Sequence, residues 1–448
     1  MRRNLSKVLN KSYSADQLTL IHRVGEEAAL LGFPLYIVGG IVRDLLLNRT
    51  GYDFDLVVEG DATSLARVLE EKYGGKVTIH SKFGTAKWDL RQSRIDNRGS
   101  SSKFTPQLLI PTFLDLISAR SEFYKHPASL PTVTMGKIDD DLHRRDFTIN
   151  TLAIRVDSPH FGELRDDFGG VDDVQHGVVR VLHPRSFIDD PTRMYRAARY
   201  EQRLDFKIEH ETMTLIPEAR YLVDKLSAQR IRHELDLILD EPNPASILER
   251  LAKLDLLKPI HVVLPWDESI KARLQARKRI KGLNQASHDV LDDRHDIRLM
   301  GWLLWLLALS EKQIESLNKR LHFTAPYMKA LLSASRLFAD PGKLNEWKPS
   351  KCVEYLDEFS LPAIHAVYLA EPNGNLKFPL EKYINEWRHI KPRITGHDLK
   401  RLGLQPGPGY HTILRELRNA WLDLEVQDEK EEQIYLEGVL RKLQDLRG

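Results

Sequence analysis

Hydrophobic positions recur at helical spacing over residues 15–32, with Leu18, Ile21, Ala28 and Leu31 in phase, which predicts a helix there. The run PLYIVGG that follows reads as a strand ending in a glycine pair, and IVRDLLL reads as a short helix. YDFDLVV alternates with period two, so a strand is expected with Asp53 and Asp55 on one side and Tyr52, Phe54 and Leu56 on the other. SLARVLEEKYG predicts a helix stopped by glycine, and KVTIHSKFGTAKWDL predicts a pair of strands joined as a hairpin. Residues 91–112 are polar and read as a mobile insertion, after which TFLDLISAR resumes as a strand. From about residue 140 the helical period dominates, apart from a strand-rich patch at 174–183. The pattern is therefore α+β at the N-terminus followed by an all-helical remainder.

Composition narrows the class. The chain of 448 residues is long enough for two to four compact units. With 42% hydrophobic and 29% charged residues it reads as a soluble globular protein. The longest apolar run, WLLWLLAL at 302–309, is far short of the ~18 residues that read as a membrane span, so no membrane partner is expected. The single cysteine, Cys352, excludes an internal disulfide and a cysteine-rich zinc site, and points to a reducing, cytoplasmic setting. The N-terminus is basic without an apolar stretch, which does not suit a signal peptide.

A net charge of only +2 places any nucleic-acid surface in local clusters. Arg193, Arg196, Arg199 and Arg203 fall on one side of a helix by their spacing. Lys271, Arg273, Arg277, Lys278, Arg279 and Lys281 form a denser group. Either can follow a phosphate backbone or be a solvated helix face.

The chemistry begins at GG…DFD. Two carboxylates at i and i+2 of a strand project from one face, roughly 6–7 Å apart at the backbone. Hard oxygen donors so placed suit Mg²⁺, with substrate phosphates filling the remaining positions. Asp115, in FLDLIS, stands where a third acid on a neighbouring strand would complete the site. Gly39 and Gly40 open a helix and let backbone N–H groups approach phosphates, and Arg43 can add a charged contact. A phosphate cradle beside a metal site argues for nucleotide chemistry. His295-Asp296 lacks further ligands at metal spacing and reads as a helix-surface pair.

These residues carry a resemblance. GGIVRDLLL…DFDLVV resembles motif A of the class II tRNA nucleotidyltransferases, the CCA-adding enzymes and their poly(A) polymerase relatives. RRDFTINTLAI at 144–154 resembles motif B, and DDFGGVDD at 166–173 the turn after it, with Asp167 where proline is common. DDPTRMYRAARYEQRLDF at 189–206 resembles the nucleobase-reading segment, with Asp189 in place of the usual glutamate. LSAQRIRHELDLIL at 226–239 resembles the next helical motif, and ITGHDLKRLGLQPGPGYHTILREL at 394–417 the C-terminal tRNA-contacting element.

The resemblance implies a head with an antiparallel sheet at 1–182, a helical neck at 183–260, a body at 261–390 and a tail at 391–448. It implies metal-dependent transfer of nucleotides from CTP and ATP to the 3′ end of tRNA. Asp53 and Asp55 would hold the metal, assisted by Asp115, while Gly39, Gly40 and Arg43 would face the triphosphate. Arg144, Arg145, Asp146 and Asn150 would line the nucleotide pocket, alongside Arg196 and Arg199. Asp190 and Arg193 would read the base. Cytosine and adenine both offer an amine beside a ring-nitrogen acceptor, which a carboxylate and a guanidinium match. Asp190 before Pro191 is also a good helix cap, and both roles can hold at once.

The nucleotide-reading residues do not separate full CCA addition from an A-adding specialist, and a poly(A) polymerase is the less favoured alternative. EFYKHPASLP at 122–131 resembles the loop that switches C to A addition and shows no large deletion, which disfavours a CC-only enzyme. Leu152-Ala153-Ile154 is CCA-like, and the segment 391–448 balances ten Lys/Arg against ten Asp/Glu, unlike a basic polymerase tail. A non-catalytic RNA-binding protein on the same scaffold would have no need of the retained acids.

Overall fold

The computed structural model describes residues 3–49, 54–80, 84–93, 112–123, 126–279, 294–371, 374 and 376–445. It divides into two compact units, Met1–Leu226 and Ser227–Gly448. Asp53, most of the 91–112 insertion, Tyr124-Lys125 of the loop and Lys281 lie outside the described residues.

The first unit holds strands β1 (Leu35–Val38), β2 (Asp55–Val58), β3 (Gly74–His80), β4 (Thr85–Ser93), β5 (Phe113–Ser118), β6 (Arg120–Phe123), β7 (Thr132–Met135), β8 (Ala153–Arg155) and β9 (Leu164–Arg165). Its helices are α1 (Ser6–Ser12), α2 (Ala15–Leu30), α3 (Gly40–Leu46), α4 (Ala62–Tyr73), α5 (Ile138–His143), α6 (Gly170–His176), α7 (Ser186–Asp189), α8 (Thr192–Leu204) and α9 (His210–Ala219). Seven strands form one sheet in the order β3-β4-β5-β2-β1-β8-β9. Neighbours are antiparallel, as expected, except for β2 and β5, which run parallel. The crossover through α4 returns the chain in the direction of β2, and two further reversals bring β5 back into that direction.

Period-two alternation sorts the sheet into two faces. Leu35, Ile37, Leu56, Val58, Trp88, Leu114 and Leu116 are buried on one. On the other, Tyr36, Val38, Val57 and Ala153 pack with Ile138 and Leu142 of α5. Towards β3 this second face opens to solvent: Lys76, Thr78 and His80 are exposed. Three expectations are corrected here. The head sheet continues past residue 140 through β8 and β9, because LAIRV and ELR are too short to show a period. The patch at 174–183 is the end of α6 followed by only the two-residue strand Val178–Val179. Likewise β4 extends to Ser93, so residues 91–93 of the supposed insertion are strand.

Among the described residues, the second unit contains helices and turns but no strand. The apolar run lies in the helix Arg294–Leu306 and the turn after it, with Trp302 and Trp305 fully buried and stacked at 5.4 Å. Their indole N–H groups donate to Asp236 and to the Pro265 carbonyl, both at ordinary hydrogen-bond distance. Folding draws three members of the dense basic group into contacts of their own, while Lys278 and Arg279 stay exposed. Arg273 is buried and donates to the Leu304 carbonyl, Arg277 donates to the Leu239 and Glu241 carbonyls, and Lys271 pairs with Glu249. Arg277 satisfies the free carbonyls at the end of the helix Ala228–Asp240, a structural task. In the tail, a turn with Gly403 at φ +84° separates the helices Gly396–Arg401 and Pro408–Leu422, which share with the helix Glu429–Asp445 a small core of Leu399, Ile413, Leu417 and Leu436. No helix among the described residues is long and apolar enough to cross a membrane.

Candidate active site

Register fixes the acids. Asp55 on β2 stands opposite Asp115 on the parallel neighbour β5, and Asp115 stands opposite Lys87 on β4. Strands are about 4.8 Å apart, so two carboxylates and an ammonium line up across one face. Asp55 is exposed, Asp115 has half of its side chain in solvent, and Lys87 Nζ is 3.9 Å from Asp115 Oδ1. Paired hard-oxygen donors reaching solvent fit a hard divalent cation such as Mg²⁺. The described residues hold no cluster of three His, Cys, Asp or Glu able to bind a metal, and Asp53 falls outside them.

The glycine pair follows β1 directly. The β1–β2 register, with Ile37 opposite Leu56, continues to bring the end of β1 beside Asp55. Gly39 has φ +76° and caps α3. Its amide is taken by the Leu152 carbonyl at 2.9 Å, so it is not left to a phosphate. A Cβ there would lie 2.6 Å from Arg145 NH1, so glycine is required by conformation and by the guanidinium beside it.

The motif B arginines are held from behind. Asp141 on α5 is fully buried and accepts from Arg144 Nε and NH2 and from Arg145 NH2. Burial pushes this carboxyl up, but Arg145 and Arg144 beside it outweigh that and hold it below the usual carboxylate range. Arg144 NH1 also donates to Glu122 at 2.9 Å. The sequence offered a signal for Asp141: it lies three and four residues before the two arginines.

Arg43 is buried rather than open to solvent. It donates to Asp44 and, through NH1, to Asn150 Oδ1 at 2.7 Å. Asn150 Nδ2 in turn donates to Asp146 Oδ1, and Asp146 Oδ2 accepts from Arg196 Nε at 2.7 Å. Arg43, Asn150, Asp146 and Arg196 thus form one chain from α3 to α8. Burial pushes the Asp146 carboxyl up, and Arg196 with the Asn150 hydrogen bond overcomes this, so it too sits below the usual range.

Tyr200 was missed by sequence reasoning. The guanidinium carbons of Arg43, Arg196 and Arg199 lie 5.3, 5.8 and 5.2 Å from its ring centroid, and Phe147 packs edge-on at 5.7 Å. The arginine stripe of α8 is therefore largely internal: Arg193 and Arg199 are buried, and only Arg203 at its end is exposed.

Asp190 does cap α8. Its Oδ1 accepts from the Thr192 amide at 2.9 Å and from the Thr192 hydroxyl at 2.6 Å. Arg193 donates to Ser186 Oγ at 2.7 Å and to the Arg144 carbonyl at 2.8 Å, which fixes its plane against motif B. Arg144 and Arg193 line a cavity of about 480 Å³ with Glu122, His143, His183 and Asp189. Burial lowers the His183 pKa, and its ring stacks on His143.

Residues 35–180 match the family described as "Poly A polymerase head domain", and 205–265 match "Probable RNA and SrmB- binding site of polymerase A". The A-adding tRNA nucleotidyltransferase of Halalkalibacterium halodurans is 31% identical over 92% of this chain and 90% of its own length. That of Geobacter sulfurreducens is 31% identical over 96% of this chain, which spans 48% of that longer relative. A solved structure titled as the apo form II of a CCA-adding enzyme superposes with a TM-score of 0.78 at 29% identity, covering 98% of this chain and 99% of the other. With this head, these acids in register and full-length likeness to such enzymes, the chain belongs to the tRNA nucleotidyltransferase family.

Proposed function

We propose that this enzyme builds the CCA end of tRNA, joining CMP and AMP from CTP and ATP to the terminal 3′-hydroxyl with release of pyrophosphate. The observation that carries the reading is the row Asp115–Asp55 running into the Gly39-Gly40 turn, with Arg145 over the turn. A Mg²⁺ ion held by Asp55 and Asp115, with Asp53, would supply Lewis-acid activation of the hydroxyl and neutralise the leaving pyrophosphate. Arg145 supplies fixed positive charge beside the glycine turn, where the triphosphate is to lie, and Asp141 keeps it aimed there. Arg43, Asn150 and Asp146 act from behind, as a brace between the turn and α8. Arg193, fixed by two hydrogen bonds, presents its remaining N–H groups to a ring nitrogen, and Asp190 accepts from the exocyclic amine. Guanine and uracil reverse this pattern and leave charge unpaired, at about 1–3 kcal/mol or more. The lone, buried Cys352 is consistent with a reducing, cytoplasmic setting.

A second reading is an A-adding specialist, favoured by the names of the two relatives above. Purified protein with Mg²⁺ would be given tRNA ending at the discriminator base, at C and at CC, with CTP, ATP or both. Complete CCA on the shortest substrate supports the full reading. Incorporation of A on tRNA-CC alone establishes the specialist, and no incorporation on any substrate overturns both.

A further inference from the structure

The row of Asp55, Asp115 and Lys87 extends one strand further, to Thr78 on β3 opposite Lys87. Nothing in the nucleotide-binding reading uses this outer part of the sheet. Here the face is open, with Lys76, Thr78 and His80 exposed. Phe113, the first residue of β5, borders it, more than a third exposed and opposite Asp89. Lys87 Nζ lies 4.7 Å and Arg91 Cζ 5.1 Å from the Phe113 ring centroid. Asp89 clamps Arg91, accepting from both Nε and NH2.

The direction of attack assigns an occupant. In phosphoryl transfer the attacking and leaving oxygens are roughly in line on opposite sides of the phosphorus. If the triphosphate lies towards the glycine turn on the β1 side, the attacking hydroxyl arrives from the β5–β4–β3 side. An RNA strand arriving there brings phosphodiesters towards Asp115 and Asp55, which repel them. Lys87, next in the row, is the cation placed to offset that repulsion. A single strand also needs surfaces on which to lay its bases, and aromatic rings and guanidinium planes serve.

We propose that Lys87, Phe113 and Arg91 form the platform for the single-stranded 3′ end of the acceptor RNA. Lys87 pairs with the last phosphodiester, and Phe113 with the clamped Arg91 supports a base behind it. The proposal rests on the functional reading above and names the path of its acceptor.

The test uses the full chain and tRNA-CC with ATP. For Lys87→Ala and Phe113→Leu the KM for tRNA-CC should rise roughly tenfold, as for loss of a stacking or phosphate contact, with the KM for ATP unchanged. Lys87→Arg should restore it. Binding of a tRNA trimmed back to the duplex end should match wild type. A raised KM for ATP with the RNA term unchanged would make the face a donor site and overturn the proposal, as would no change in either. Should a variant not fold, wild-type protein would be photocrosslinked to tRNA carrying 4-thiouridine next to its 3′ end. Labelling within Gly84–Ser93 or Phe113–Ser118 supports the platform, and labelling confined elsewhere refutes it. Wild type that incorporates nothing would sink the functional reading instead, while the crosslink still reports on the RNA path.

Discussion

Asp115 of β5 faces Asp55 of β2 on one side and Lys87 of β4 on the other, so each acid has a neighbour one strand away. If the two carboxylates act together on one cation, neither can substitute for the other. Asp55→Asn and Asp115→Asn should each lower single-turnover incorporation by at least about a hundredfold. Filter binding of tRNA should stay close to wild type. Near-normal turnover by either variant would break the pairing.

Gly39→Ala tests the cradle. The new methyl meets Arg145 NH1 and must adopt a positive φ, so it should displace the guanidinium and cost about 1–3 kcal/mol of stability. The kinetic signature is a raised KM for ATP and CTP alike, read from initial rates at saturating tRNA.

Asp141→Asn tests the support beneath motif B. A fully buried carboxylate serving two arginines is lost, and breaking such a pair costs about 3 kcal/mol or more. The pH dependence has a definite sign. Asp141 and Asp146 are both held below the usual carboxylate range. Their stabilising contribution is therefore complete above the unfolded carboxylate value of about 4, and is lost as pH falls below it through the lowered folded values. Urea midpoints measured from pH 7 down to pH 3 should drop steeply for wild type and less steeply for Asp141→Asn.

Tyr200 should tolerate loss of its hydroxyl and not of its ring. Tyr200→Phe keeps the surface shared by three arginines, whereas Tyr200→Leu removes it at about 1 kcal/mol, or roughly fivefold in nucleotide KM. Equal behaviour of the two variants, measured with ATP on tRNA-CC, would show that the ring is packing alone.

Arg193→Ala should narrow the preference for CTP over UTP by about tenfold or more. Unchanged discrimination in competition assays would remove Arg193 from base reading. A fall in stability is also expected, because Ser186 and the Arg144 carbonyl lose their donor.

Legibility in the sequence followed the range of each interaction. The glycine pair, Asp55 of β2 and the cap at Asp190 are local patterns, and they were readable. The helix–strand order of the head was readable from α2 to β5, but the hairpin of β6 and β7 was not predicted, and β8 and β9, of three and two residues, are too short to carry a period. The parallel pairing of β2 with β5 depends on a crossover and two reversals, which no short window contains. Tyr200 was missed because the arginine it meets from α3 is far away in sequence. Arg273 and Arg277 showed the opposite error: a charge cluster that reads as one patch is divided by folding between separate carbonyls.

The cap on α8 has a consequence for how this protein can change. The carboxylate proposed to choose the base is also the one that holds the first turn of the helix carrying Arg193, Arg196 and Arg199. A substitution at Asp190 that altered base choice would at the same time loosen the arginines around it. If Asp190 also reads the base, a substitution that loses its hydrogen bonds to Thr192 is penalised twice, once in fidelity and once in folding.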